Sequence, residues 1–231
     1  MSNDFKIQIP QSIVRSNEIT EKEFVLLAKF IQIYKSQPGD KKSLTFTIVS
    51  YKKLMNYINI TDQRTFTACL KGLVKKKYIA NEIKRLSRNG KLTISLSPKV
   101  IPELTDEKLF TQLEYWVINM SVIEKVGHTG VRILYYLMSW INYTQEGKDH
   151  CYASVERMAK DIGVSEKTFI KYIGILEDLK FIKVVRHETT IEYKNDKYGN
   201  ENLLLDRWNN HYYIKLENIK KFVDKNVSLV G

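Results

Sequence analysis

The sequence has little cysteine, little proline and no long apolar run, and each shortage excludes a class of protein. Its 231 residues include two cysteines, Cys69 and Cys151, too few for the disulfide framework of a small secreted domain. We expect both to be reduced and at least half-buried. Four prolines and the lack of a low-complexity tract argue against a long disordered tail. No stretch is apolar enough to span a membrane, and MSNDFKIQ does not resemble a signal peptide. We therefore expect a cytoplasmic protein with no membrane partner.

Residues grouped for catalysis are also lacking. The sequence contains four histidines: His128, His150, His187 and His211. They are far apart and never pair with each other or with a cysteine at metal-ligand spacing. Neither Gly90-Lys91 nor Gly147-Lys148 has the glycine spacing or the following Ser or Thr of a phosphate-binding Walker A loop. Fourteen tyrosines do not exclude a DNA-nicking tyrosine by count, but the close histidine pair that usually accompanies one is missing. We therefore expect no enzymatic activity, no cofactor and no metal.

Positive charge is what the sequence has in excess. The 37 lysines and arginines outnumber the 26 acidic residues, which gives a formal net charge of +11. This surplus predicts a polyanionic partner, with an ordinary basic surface as the alternative. Between Lys71 and Lys91 the cations cluster around a single acid, Glu82. The cluster contains Lys71, Lys75, Lys76, Lys77, Lys84, Arg85, Arg88 and Lys91. Such a group can meet phosphates on both sides of a DNA groove, although a solvated lysine face would have the same composition.

The segment from Ser154 to Arg186 is typical of a helix-turn-helix followed by a strand. Ser154 and Ser165 each precede an amphipathic stretch and can cap a helix by accepting a backbone N–H. Gly163, between them, can adopt the left-handed conformation that ends the first helix. Phe169 and the apolar residues spaced with it should face a core. The opposite side of the second helix is then predicted to be the face that reads a DNA groove.

The first half of the chain contains the same succession of elements. Thr20 and Glu23 can form a capping box for a helix that runs to about Tyr34. That helix is apolar nearly all round, so it is central or lies in an interface with the other unit or with another copy of the chain, and of these we favour a homodimer. Ser50 and Thr61 are expected to cap two further helices. Apolar residues of the second half echo those of the first at a nearly constant offset, with Thr129 in the place of Thr20, which predicts a tandem duplication.

A β-hairpin is predicted to follow the third helix. Tyr78 to Ser97 contains two β-favouring runs around Asn89-Gly90, a dipeptide that favours a tight turn between strands. Arg88 at this wing tip is suited to a narrow minor groove, whose negative potential attracts it. The wing of the second half, from His187 to Asn210, is longer and mixed in charge, so it could contact DNA or a protein partner.

These patterns together predict an α+β fold that is mainly helical. It should consist of two tandem winged helix-turn-helix domains related by internal duplication. Residues 1–100 form the first predicted domain and residues 107–231 the second. A Pro-containing, charged connector from Pro98 to Asp106 joins them.

We predict that double-stranded DNA is contacted by both recognition helices and by the first wing. Gln63 and Arg64 are suited to adenine and guanine, and Lys167 to guanine. The full set of predicted DNA-binding residues is Gln63, Arg64, Thr67, Lys71, Lys84, Arg85, Arg88, Lys91, Ser165, Lys167, Thr168, Lys171 and Tyr172. The alternative is that these side chains contact only phosphate or water.

The segment from Thr129 to Ile182 resembles a known winged helix. It includes LYYLMSWI and YASVERMAKDIGVSEKTFIKYIGILEDLKFI, which look like the N-terminal winged helix of Gram-positive plasmid replication initiators and DnaD-like phage replisome organisers. The tandem layout resembles plasmid initiators with two winged helices. The resemblance implies specific binding of duplex DNA at a replication origin, dimerisation through the first winged helix, autorepression and host replication proteins as partners. No helicase-loading domain is recognised after the second unit, so DNA binding is a firmer expectation than replisome recruitment.

Two other functions fit the same residues. A transcriptional regulator, such as a repressor of a mobile element, would use the same winged helices and cannot be separated from an initiator by residues alone. A winged-helix adaptor that joins protein partners belongs to a different class. The clustered cations between Lys71 and Lys91 count against the adaptor.

Overall fold

The chain folds into α-helices and short antiparallel strands, which agrees with the predicted mixture of helix and sheet. The computed structural model describes residues 5–38, 42–187, 190–195, 201–206 and 209–227. Within these ranges no helix is long and apolar enough to cross a membrane. Both cysteines are free and buried, as expected.

The first half begins with strand β1 and a single-turn helix α1. Its elements are β1 (Lys6–Pro10), α1 (Gln11–Val14), α2 (Glu21–Lys35), β2 (Thr45–Ile48), α3 (Tyr51–Tyr57), α4 (Gln63–Lys75) and β3 (Leu92–Ser95). Two short 3-10 turns, Pro98–Val100 and Pro102–Leu104, then lead to the second half.

The second half also begins with a strand, and it ends with a helix. Its elements are β4 (Phe110–Glu114), a 3-10 turn (Tyr115–Ile118), α5 (Met120–Met138), α6 (Val155–Ile162), α7 (Glu166–Asp178), β5 (Ile182–Val185), β6 (Thr190–Asn195), β7 (Glu201–Asp206), β8 (His211–Ile214) and α8 (Leu216–Val227). The C-terminal helix α8 was not predicted. It packs on α5, and Phe222 makes an edge-on ring contact with Phe181 at 5.4 Å.

Helix starts follow the predicted caps with one exception. Thr20 accepts from the backbone N–H of Glu23, whose carboxylate accepts from the N–H of Thr20, so the capping box is present. Ser50 caps α3. The predicted cap at Thr61 is wrong, because Asp62 caps α4: its carboxylate accepts from the backbone N–H of Thr65 at 2.7 Å. The carboxylate also accepts from the Thr65 hydroxyl, and this bond lowers the pKa of Asp62.

The prediction of a first strand in the hairpin from Tyr78 to Ser97 is wrong. The chain forms a single bridge between Ile79 and Leu96, and residues 80–91, all described, contain no strand. β3 pairs instead with β2. The side chain of Asn81 explains the difference, because it takes two backbone partners on β3. Its amide oxygen accepts from the N–H of Ser95 at 2.6 Å, and its amide nitrogen donates to the carbonyl of Thr93 at 3.1 Å.

Thr129, the predicted echo of Thr20, lies two residues after a break in α5, where a second helical segment begins. The first segment is capped by Asn119, whose side chain accepts from the backbone N–H of Ser121 at 2.9 Å. A kink divides α5 at Gly127, where φ is +66° and ψ is 175°. A side chain at this left-handed position would be strained, so the sequence supports the kink.

The two halves pack against each other. β1 pairs antiparallel with β4 across the predicted boundary, from Lys6 opposite Glu114 to Pro10 opposite Phe110. Arg15 and Gln11 donate to the carbonyl of Ser139 at 2.7 and 2.8 Å, and so satisfy the C-terminal end of α5. One hydrophobic core contains residues of both halves. The predicted domain limits, 1–100 and 107–231, stay predictions.

Helix α2 is covered by the other half of the same chain. Its apolar residues Phe24 to Ala28, Phe30 and Ile31 are fully buried, and the rings of Phe24 and Tyr135 meet edge-on at 5.3 Å. This burial accounts for a helix that is apolar nearly all round. The apolar surface that suggested a homodimer is therefore occupied within one chain.

Arg132 on α5 lies in the middle of this contact and is fully buried. Its two terminal nitrogens donate to the carbonyls of Ser16 and Ile19, in the loop that precedes α2. Burial lowers the pKa of its guanidinium to about 10, so the group is still charged at neutral pH. Nothing in the linear sequence marks this residue.

His128 gives the fold a predicted dependence on pH. Its Nε2 donates to the carbonyl of Ile58 across 2.7 Å, and burial lowers the pKa of the imidazole below its ordinary value. The unfolded chain therefore binds the proton more readily, and stability should be lost as the pH falls through about 6.5, the unfolded value. We expect a smaller free energy of unfolding at pH 5.5 than at pH 7.5, measured by urea denaturation. Burial also lowers the pKa of His211, which acts in the same direction. His128→Gln should reduce the pH dependence, and an unchanged dependence would contradict the assignment to His128.

Candidate nucleic-acid interface

Helices α6 and α7 form the helix-turn-helix predicted between Ser154 and Arg186. Ser154 caps α6, and Ser165 caps α7 by accepting from the backbone N–H of Thr168 at 3.1 Å. Gly163 ends α6 in the left-handed conformation, with φ at +72°. A Cβ at this position would lie 3.1 Å from the carbonyl oxygen of Asn17, so the turn also requires a glycine for its close contact with the first half.

One side of α7 is buried and the other is open. Phe169 and Leu176 are fully buried, and the helix packs on α5. The exposed side carries Glu166, Lys167, Ile170 and Lys171. Thr168 is half-buried, and its hydroxyl lies 2.9 Å from that of Ser165, so both hydroxyls are already engaged in the cap.

Tyr172 does not share the open side of α7. Its ring lies against the kink of α5: a Cβ at Gly127 would be 3.4 Å from its Cε1, and one at Gly130 would be 3.7 Å from its Cδ1. The two glycines therefore make room for this half-buried ring. Of the residues predicted in the second unit, the structure brings Lys167 and Lys171 together on the open side and places Tyr172 toward the core.

Helix α4 presents the corresponding open side in the first half. Phe66, Leu70 and Leu73 face the core and are fully buried. The outer side forms a shallow groove, lined by Asp62, Gln63, Arg64, Thr67, Ala68 and Lys71. The structure therefore brings four of the predicted residues together: Gln63, Arg64, Thr67 and Lys71. The hydroxyl of Thr67 donates to the carbonyl of Gln63 at 2.8 Å, so it is engaged within the helix.

A basic loop, residues 80–91, lies beside α4. Lys84 shares a second depression with Lys71 and Lys75 of the helix. Arg85 and Arg88 are exposed on either side of Leu86, which is buried and holds the loop to the core. The carbonyl of Gly90 accepts from the backbone N–H of Tyr51 at 2.8 Å, which fixes the loop to the start of α3.

The cations of the loop differ in how they are engaged. Lys84 lies 3.6 Å from Glu82, and both groups are well exposed, so this ion pair contributes little to stability. Among the described residues, neither Arg85 nor Arg88 makes an ion pair or a side-chain hydrogen bond. Lys91 is also exposed. These positive charges are available for an anionic partner.

Lys76 is not available to an anionic partner, because it forms an ion pair inside the fold. Its ammonium lies 2.9 Å from the carboxylate of Glu23, which is buried and also forms the capping box of α2. Gly72 makes room for this pair, since a Cβ there would lie 1.7 Å from a carboxylate oxygen of Glu23. The sequence signal for this role is the capping box itself, which indicates a glutamate held at that position.

The second predicted wing is described only in part. β6 and β7 pair antiparallel from Thr190 opposite Asp206 to Asn195 opposite Glu201. The tip between them, which includes Asp196 and Lys197, lies outside the described residues, as does Arg207. Contact of this wing with DNA, or with a protein partner, stays a prediction.

The three histidines near the start of this wing lie close together. The rings of His150 and His211 stack with centroids 4.1 Å apart, and His187 meets His211 at 4.3 Å. The three residues are far apart in the sequence, and contacts between distant segments are not visible in linear spacing. Within the described part of the chain, no group of three or more His, Cys, Asp or Glu has a geometry suited to a metal ion.

The basic loop provides a prediction about salt. If Arg85 and Arg88 contact DNA phosphates, each releases condensed counterions on binding. We expect Arg85→Ala and Arg88→Ala each to flatten the slope of log affinity against log salt concentration by about 0.9. Fluorescence anisotropy across a salt series measures this slope. If neither the slope nor the affinity changes, the basic loop is not in contact with DNA.

Comparison with known proteins supports the helix-turn-helix of the second half. Residues 133–182 match a family model described as a helix-turn-helix domain, and this range covers the end of α5, all of α6 and α7 and the start of β5. No curated protein matches the chain closely enough to count as a relative. The match thus coincides with the two capped helices described above, and it supports a helix-turn-helix fold for residues 133–182.

Proposed function

We propose that this chain is a sequence-specific binder of double-stranded DNA that reads the duplex with α4 and α7. The observation that carries the proposal is the outer side of α4, where Gln63, Arg64 and Lys71 are exposed in one groove beside the free cations of the basic loop. Exposed arginine and glutamine near the start of a helix are suited to base edges, and surrounding cations to phosphates. The helix-turn-helix match supports the same role for α7.

The two halves are proposed to be winged helix-turn-helix units that arose by duplication. Each contains a long central helix, two shorter helices joined by a tight turn, and an antiparallel pair of strands. The second short helix begins one residue after a side-chain cap in both halves, at Asp62 and at Ser165. In addition, a third segment joins the strand pair of each half. Ile79 bridges Leu96 in the first half, and Cys151 bridges Tyr212 in the second.

Within this class, we favour a replication initiator or origin-binding protein of a plasmid or phage, acting in the bacterial cytoplasm. The support is the resemblance of the segment from Thr129 to Ile182 to such proteins. The proposed role is binding and not catalysis, and it requires no cofactor. Host replication proteins are the proposed protein partners. Homodimerisation stays a prediction without support from α2, whose apolar residues are buried within the chain.

A transcriptional regulator of a mobile element is the second candidate, because the same open sides of α4 and α7 would serve it equally. The two roles differ in where the bound sequence occurs. Repeats within an origin favour initiation, whereas a site that overlaps a promoter favours regulation. A protein-interaction adaptor is less well supported, since it gives no reason for free cations at Arg85 and Arg88.

Selection of bound sequences from a random pool of duplexes tests the proposal. We expect one recurrent motif, which can then be located in plasmid, phage and host DNA. A plasmid that carries the matching repeats should replicate only when the chain is supplied, if the role is initiation. A pool that remains random after repeated selection would contradict sequence-specific binding.

A further inference from the structure

We infer that Ile170 recognises a thymine, by packing its side chain against the 5-methyl group in the major groove. This inference rests on the proposed function and names a base feature read by α7. The thymine methyl is the apolar group that a base pair presents in the major groove, and an aliphatic side chain is a suitable partner for it.

The first observation is the exposure of Ile170. It is 57% exposed in the middle of α7, although Phe169 beside it is fully buried. Lys167 and Lys171 are exposed on the same side of the helix. A single exposed apolar residue is common in proteins, so exposure alone does not identify a contact. A second feature on the same side is needed.

Gly174 is that second feature. It lies one turn after Ile170, and a Cβ built there would meet no described residue within 4 Å. A glycine inside a helix costs roughly a factor of two to five in the folding equilibrium relative to alanine, since it loses more backbone entropy. Gly72, Gly127, Gly130 and Gly163 each have a neighbour or a left-handed φ that explains them, whereas no contact in the described part of the chain explains Gly174. Its open surface would let a partner approach the helix closely.

The position along the helix fits a contact with bases. Ile170 follows its N-cap, Ser165, by the same number of residues as Thr67 follows Asp62 in α4. Because the Thr67 hydroxyl is bonded to the carbonyl of Gln63, the methyl group of Thr67 is the part left for a partner. Both recognition helices therefore have an aliphatic group at the same place, one turn after Arg64 in α4 and Lys167 in α7.

DNA fits this surface better than a protein does. The apolar area consists of one side chain between two lysines, whereas a stable protein interface buries about 1,000 Å² or more. The lysines suit the phosphates or guanines that border a thymine in the groove. We therefore assign the open side of α7 to a half-site that contains thymine.

The experiment combines a protein change with a DNA change. Thymines of the selected α7 half-site are replaced one at a time by deoxyuridine, which lacks only the methyl group, and binding of wild type and Ile170→Ala is measured. For one thymine, we expect the wild type to lose roughly fourfold in affinity, about the value of one buried methyl group. Ile170→Ala should lose at least as much on the unmodified site and should then bind thymine and deoxyuridine equally.

Two further variants complete the test. Leu109→Ala removes another exposed aliphatic side chain, which is 64% exposed just before β4 and outside both recognition helices, and should leave the thymine preference unchanged. Gly174→Ala should raise thermal stability and yet weaken binding several-fold, because the added methyl group obstructs the close approach. A Gly174→Ala variant that binds as tightly as wild type would overturn the role of Gly174.

The inference is overturned if Ile170→Ala keeps the thymine preference of the wild type, or if the selected α7 half-site contains no thymine. These results would leave the proposed function intact as long as the wild type prefers its selected site to scrambled DNA. If the wild type shows no such preference, the proposed function itself fails. The two failures are therefore distinguished by one comparison on the wild-type chain.

Discussion

Replacing Arg132 with alanine should lower the free energy of unfolding by roughly 2–5 kcal/mol. The guanidinium is fully buried and donates to the carbonyls of Ser16 and Ile19. Its removal leaves both carbonyls without their partner, at about 1–3 kcal/mol each, and leaves a cavity where the side chain packed. The loss should be large because the same side chain joins α5 to the loop that positions α2.

Urea denaturation of Arg132→Ala and of two matched variants measures this effect. Arg132→Lys keeps the charge but supplies a single ammonium instead of the forked guanidinium, so we expect an intermediate loss. Arg64→Ala removes an exposed arginine and should change the free energy of unfolding by less than about 0.5 kcal/mol. If Arg132→Ala is as stable as Arg64→Ala, the buried guanidinium does not hold the halves together.

Arg64→Ala and Lys167→Ala should each weaken binding to the selected duplex by roughly 1–3 kcal/mol, or about 5- to 150-fold. Both side chains are exposed near the start of their helices, the end that enters a major groove in a helix-turn-helix. On scrambled DNA the loss should be much smaller, because base contacts contribute nothing there. Fluorescence anisotropy on both duplexes at one salt concentration gives the comparison.

Lys125→Ala provides the control for this experiment, since Lys125 is an exposed cation of α5 and belongs to neither recognition helix. It should leave both affinities nearly unchanged. If Arg64→Ala and Lys167→Ala instead lose equally on selected and scrambled DNA, the two residues are phosphate anchors. Specificity would then come from the basic loop, from the second wing or from the shape of the DNA.

Features that depend on near neighbours were predicted well from the sequence. The caps at Thr20, Ser50, Ser154 and Ser165 require only a side-chain oxygen and an N–H two or three residues later. The cap of α4 was placed one residue early, because Thr61 and Asp62 are both suitable and the difference depends on which oxygen reaches Thr65.

Features that depend on distant contacts were missed. Nothing near Asn81 in the sequence shows that its side chain will replace part of a strand ladder. The pairing of β1 with β4 joins segments from opposite halves, and the buried role of Arg132 is defined only by carbonyls of another element. For the candidate site, helical spacing correctly placed Arg64 and Lys167 on the open sides of their helices, and their role in DNA binding stays a prediction. The same spacing also selected Tyr172, because it does not reveal the glycines of α5 that receive its ring.

The affinity of the wild-type chain for two duplexes tests the central claim most directly. One duplex carries the sequence selected from the random pool, and the other is a scrambled version of the same length and composition, both measured at one fixed salt concentration. We predict that the selected duplex binds tighter by a factor of about 10³ or more, and that both affinities fall as salt is raised. Equal affinities for the two duplexes, or no binding to either at low salt, would contradict the proposal that α4 and α7 read a DNA sequence.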